Sequence, residues 1–154
     1  MIPIRFPIGA ALLLVQAMGA LPPQGQSPPA GTLTVNVTRA RNAKGKMGVG
    51  LFKSAAGFPE DDSKMVAWQI IDIDPRTLSS RAVFRDLPLG VYAVSARHDE
   101  NNNGKLDKNF LGIPTEGYGI SQNPKPRLRT PTFDEAKFSL KASEQAIEIR
   151  LVYR

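Results

Sequence analysis

From Thr32 onward, apolar and polar side chains alternate with a period of two. Leu33, Val35 and Val37 interleave with Thr32, Thr34, Asn36 and Thr38, the pattern of a strand that buries one face. Met47, Val49 and Leu51 repeat it after a basic turn around Asn42 to Gly45. Ala82 and Phe84 lead into the turn Asp86-Leu87-Pro88-Leu89-Gly90, after which Tyr92, Val94 and Ala96 resume the alternation. Ala136, Phe138 and Leu140 alternate with Lys137, Ser139 and Lys141, and Ile147, Ile149, Leu151 and Tyr153 oppose Glu148, Arg150 and Arg154. Met65 to Ile73 is apolar on both parities, which predicts a central strand buried on two sides. No window carries a sustained i, i+3, i+4 stripe, and Ala55 to Asp62 has room for one helical turn at most. The expectation is an all-β fold, an antiparallel sandwich of about seven strands with one long irregular loop.

That loop runs from Asp99 to Pro131, and loops of such length in compact domains are usually functional or internally braced. Its first part is His98-Asp99-Glu100-Asn101-Asn102-Asn103-Gly104-Lys105-Leu106-Asp107. Counted from Asp99, oxygen-bearing side chains fall at the first, third, fifth and ninth positions (Asp99, Asn101, Asn103, Asp107), with Gly104 at the sixth. Lys105 at the seventh offers its carbonyl. Hard oxygen donors at this spacing around a glycine describe a calcium loop. Phe110 stands where such a loop carries its bidentate Glu, and the flanks read as strand and loop, so an EF-hand is excluded. Two readings stay open: a weak structural Ca2+ site, or Asp and Asn side chains capping successive turns without metal. Further on, glycines bracket Glu116 and Tyr118. These two residues either face a ligand, or Tyr118 packs down over a sheet edge.

Composition narrows the classes. The chain has 154 residues, a formal net charge of +6, 13 Gly, 13 Pro and no Cys. That is one domain's length, rich in turns and held without disulfides. Arg5, the apolar run Ile8 to Val15 and the small residues Ala17 and Gly19 make residues 1–19 a signal peptide, cut after Gly19. The run is too short to span a membrane, so no transmembrane segment is expected after its removal. Residues 20–31 are rich in Pro, Gln and Gly and read as a linker, leaving 32–154 as the sandwich domain. No nucleophile elbow, His/Cys zinc cluster or glycine-rich phosphate loop is present. The single histidine, His98, shares parity with Tyr92, Val94 and Ala96 and is expected to point inward. Arg39, Arg41, Lys44 and Lys46, with Lys125, Arg127 and Arg129, form basic clusters that either touch an anionic envelope polymer or membrane surface or are solvated turn charges. They lack the interleaved aromatics of a nucleic-acid binder.

The run Phe84-Arg85-Asp86-Leu87-Pro88-Leu89-Gly90-Val91-Tyr92 resembles the signature of transthyretin-like and carboxypeptidase-regulatory-like sandwiches. A longer set of residues is more specific. The stretch from His98 to Asp107, then Asn109-Phe110-Leu111-Gly112-Ile113-Pro114, Glu116-Gly117-Tyr118-Gly119 and Pro131-Thr132-Phe133-Asp134-Glu135-Ala136 are similar to the bacterial exported domain-of-unknown-function family 2141. The resemblance extends from about Leu33 to Tyr153. It implies export and a single Ig-like or transthyretin-like β-sandwich, and it brings no catalytic residue. The functional expectation is an exported, periplasmic or extracellular, non-catalytic binding or accessory module of the bacterial envelope. Its partner would be an envelope protein or polymer, and its loop is open to calcium. Two alternatives stand beside it: a hydrolase using His98 with Asp99 or Glu116, and a structural domain pairing through a strand edge.

Overall fold

The computed structural model describes residues 29–125 and 129–154. The leader, the linker up to residue 28 and Arg127 lie outside the described residues. Among the described residues eight strands form two sheets. β1 (Ala30–Thr38) lies between β4 (Ser80–Pro88) and β8 (Glu144–Arg150) in a three-stranded sheet. The second sheet runs β3 (Ala67–Ile71), β2 (Lys46–Phe52), β5 (Gly90–Asp99), β6 (Gly117–Ile120), with β7 (Phe138–Leu140) paired to the start of β5. The protein is an all-β sandwich. Among the described residues no helix is long and apolar enough to cross a membrane.

The two-residue period places the core. Leu33, Val35 and Val37 of β1 meet Met47, Val49 and Leu51 of β2, Tyr92, Val94 and Ala96 of β5, and Ile149 of β8 in one buried cluster. Burying each such side chain contributes roughly 1.5–3 kcal/mol. Tyr92 is fully enclosed, so its hydroxyl needs an acceptor, and it donates to the Pro88 carbonyl at 2.7 Å across the turn. Both long sides of the sandwich are tied. On one, the Gln69 amide donates to the Val83 carbonyl at 2.8 Å and accepts from the Val83 N–H at 3.3 Å, mimicking a strand neighbour. On the other, the chain after β8 crosses to the second sheet, where Tyr118 and Val152 exchange two main-chain hydrogen bonds.

Several expectations need correction. β3 is an edge strand and not a central one. Its Ala67 and Ile71 pack on the core, while Trp68 and Ile70 stand exposed on the outer face. Apolar residues on both parities here mean one buried face and one open apolar face. β8 runs parallel to β1, so the sandwich is not wholly antiparallel; alternation records which face is buried and not strand direction. Ala136 closes a four-residue helix, α1 (Phe133–Ala136), fixed by a Thr132/Glu135 capping box. The helical turn near 55–62 appears as a 3-10 turn at Asp62–Lys64. The long loop also contains β6, whose glycine-rich residues gave no periodic signal.

Candidate functional site

The alternation that fills the core also dictates the other face of the second sheet. β2 turns Met47, Val49 and Leu51 inward and therefore Gly48 and Gly50 outward. The pairing sets Trp68, Gly50, Ser95 and Ile120 in one row across β3, β2, β5 and β6, and Ile70, Gly48, Arg97 and Tyr118 in the next. Side chains are missing in the middle and bulky at the sides. The Met65 thioether lies against Gly50, whose added Cβ would come within 2.4 Å of it, and the Arg97 side chain lies against Gly48. The floor is flat in consequence. One end of this face is closed by Phe52, Phe58 and Phe133 in edge-to-face contact. The other end is an open trough of about 1020 Å³ between Trp68 and Ile70 on one wall and Leu111, Ile113 and Tyr118 on the other.

The second wall exists because the loop after β5 is braced. Asp99 accepts main-chain N–H bonds from Asn103 and Gly104 at 3.0 and 2.7 Å, with Gly104 at φ 77°. Asn101 and Asn103 each accept from the N–H two residues on. Their amide nitrogens converge on Asp107, at 2.7 and 2.8 Å. Glu116, only 5 % exposed, accepts from the N–H groups of Glu100 and Asp107 at 2.8 and 3.0 Å. Its carboxylate is turned onto the loop's own main chain and not outward. Asn109 then caps the tip by accepting from Leu111 and Ile113. Phe110 is 94 % exposed there.

Asp99, Asn101, Asn103 and Asp107 are thus brought together by hydrogen bonds within the loop. Each Asn oxygen accepts one main-chain N–H and keeps a second lone pair. Lys105 contributes its N–H to Asn103, and nothing in the loop supplies the acid missing at Phe110.

His98 points inward, as its parity requires, and is fully buried. Its Nε2 lies 2.7 Å from the Lys44 carbonyl, a pure acceptor, so that nitrogen carries the proton. With the imidazole neutral, Nδ1 accepts from the Tyr153 hydroxyl at 2.7 Å, and that oxygen accepts the Arg41 N–H at 3.0 Å. Both ring nitrogens are engaged within the fold. Burial raises the Tyr153 phenol above its ordinary range, outweighing the Arg41 hydrogen bond. Burial would also raise the Glu100 carboxyl, but the Asn42 hydrogen bond and the Arg41 guanidinium, paired with it at 2.7 Å, overcome this and hold it low. Gly117 and Gly119 give the C-terminal segment its approach. A Cβ on the first would strike the Tyr153 ring at 2.4 Å, and on the second Ile149 at 2.5 Å.

Sequence reasoning placed the long loop, His98 and Tyr118, but it missed the trough. Its signals were present: Gly48 and Gly50 inside an otherwise regular strand, and Trp68 and Ile70 on the parity opposite Ala67 and Ile71. Of the basic residues singled out, Arg41 pairs with Glu100, Lys46 with Asp72 and Arg129 with Glu135. Those three charges are matched where they stand.

Fold and site together define a β-sandwich protein that carries an open trough on one outer sheet face. The chain belongs to a family described as uncharacterised proteins conserved in bacteria (DUF2141), whose family profile matches residues 35–148. No curated protein and no solved structure matches it.

Two outcomes test the braced loop. A site binding calcium at about 10⁻³ M would stabilise the fold by about 1 kcal/mol in about 5 mM Ca2+. A loop closed by its own hydrogen bonds predicts no such gain over EDTA in urea unfolding, and a gain of that size would select the calcium reading. The second outcome concerns pH. A carboxyl held low in the folded state contributes stability above its unfolded value and loses it as pH falls. The stability difference between wild type and Glu100→Gln, followed by thermal melts, should therefore shrink below about pH 4.3.

Proposed function

We propose that this protein is a non-catalytic binding module working outside the cytoplasm, and that its ligand lies in the trough on the outer face of the second sheet. The observation that carries this reading is the pairing of exposed apolar walls with a side-chain-poor floor. Trp68 is 63 % exposed and faces Leu111 and Ile113 across Gly48 and Gly50. Large apolar side chains gathered around a concavity mark interaction sites on soluble proteins. The trough, about 1020 Å³, is as large as the roomier small-molecule sites. Action outside the cytoplasm, in the envelope or beyond it, rests on the leader pattern of residues 1–19. A non-catalytic role fits the engagement of both His98 nitrogens and the inward turn of Glu116, which leave neither free to act on a substrate. Pairing through a strand edge is less well supported. The edges of the first sheet are each engaged by an amide, β4 at Val83 by Gln69 and β8 at Glu148 and Arg150 by Asn123, and the edge strand β3 is only five residues long.

Trp68 is the only tryptophan in the chain, so energy transfer from it to the uncharged probe N-phenyl-1-naphthylamine reports on this trough. Saturable transfer is expected. Removing one apolar side chain from each wall, Ile70→Ser with Leu111→Ser, should weaken it about tenfold or more. Both side chains are exposed, so the fold should survive. Transfer that is absent, or indifferent to the double variant, would contradict the reading.

A further inference from the structure

We infer that the trough takes a neutral oligosaccharide chain, an inference that rests on the binding reading above and names its ligand. The central feature is an ion pair set in the floor beside an aromatic wall. The Arg97 guanidinium meets Asp62 through two parallel contacts, Nη1 to Oδ1 and Nη2 to Oδ2, each 2.8 Å. The side chains keep 22 % and 49 % of their surface, so the pair is open to the trough from above.

A guanidinium has five N–H donors, and two are used by Asp62; each carboxylate oxygen keeps lone-pair capacity. The fork therefore presents fixed donors and acceptors side by side in one plane. Adjacent sugar hydroxyls, each both donor and acceptor, match that arrangement. Ser95, two residues before Arg97 on β5, adds a hydroxyl to the floor. Trp68 supplies the other half of sugar chemistry, a broad apolar ring against which the C–H face of a pyranose can stack.

The pairing of charges and the shape of the trough favour hydroxyls over the main competitors. The second acid–base pair along the trough, Lys108 with Glu60, is also closed, at 2.7 Å. An anionic ligand would find Arg97 and Lys108 already matched. An acyl chain would have to cover the Arg97–Asp62 pair without replacing its water, and burying a pair without new hydrogen bonds is unfavourable. A chain of hydroxyls replaces that water bond for bond. The trough is open along its length, which suits an extended polymer better than an enclosed small molecule.

The test is an array of neutral oligosaccharides, of gluco, galacto, manno, xylo and N-acetylhexosamine type, titrated into the full mature domain while Trp68 emission is followed. At least one should give a saturable change. Its affinity should fall about tenfold or more in Trp68→Ala, read by calorimetry because the reporter is gone. Arg97→Lys keeps the charge but removes the planar fork, and should lose affinity as well. Circular dichroism of each variant confirms the fold. If no member of the array binds while the naphthalene dye still occupies the trough, the sugar inference is overturned and the binding reading stands. If the dye fails too, both fall. Binding of dodecylphosphocholine below its micelle concentration, or of an apolar peptide, in place of any sugar would likewise overturn the inference.

Discussion

One buried carboxylate holds the functional half of this molecule in place. Glu116 sits at the far end of the excursion that leaves β5 at Asp99, and it accepts the N–H groups of Glu100 and Asp107. Hydrogen bonds to a charged acceptor are roughly twice as strong as neutral ones, and burial removes the water that would compete. Those two bonds pin the beginning and the middle of the excursion to the start of β6. With both points fixed, the Asp and Asn side chains have only short turns left to close. The tip carrying Leu111 and Ile113 then becomes a wall and not a tether.

Glycine has opposite consequences on the two faces of the same sheet. On the outer face, Gly48 and Gly50 lower the floor so that Met65 and Arg97 lie flat. On the inner face, Gly117 and Gly119 admit Tyr153 and Ile149, and the chain's last residues can cross from one sheet to the other. That crossing delivers the Tyr153 hydroxyl to His98 and the Tyr153 ring to Arg41, whose guanidinium lies 4.8 Å from its centre. Close backbone approach thus supplies both the trough and the closure beneath it.

The core was legible in the residues because a half-buried strand must alternate. The inward sets of β1, β2 and β5, and the inward turn of His98, follow from parity alone. Elsewhere the same rule ran out. Over Met65 to Ile73 it could not distinguish a strand buried on both faces from an edge strand whose second face lines a trough. It was silent on β6, where glycines replace the apolar positions, and on the parallel pairing of β8 with β1. The oxygen spacing from Asp99 to Asp107 was visible as a pattern. Whether those oxygens face an ion or main-chain donors depends on Glu116, nine residues beyond Asp107, and no spacing rule connects the two.

The absence of cysteine makes the central claim directly measurable, because a pair of introduced cysteines can be spin-labelled without background. Labels at Ile70→Cys and Leu111→Cys stand on opposite walls of the trough. Double electron–electron resonance should give one narrow distance distribution, and adding Glu116→Gln should broaden it while the sheets remain folded. A broad distribution in the parent, or a narrow one indifferent to Glu116, would contradict the account.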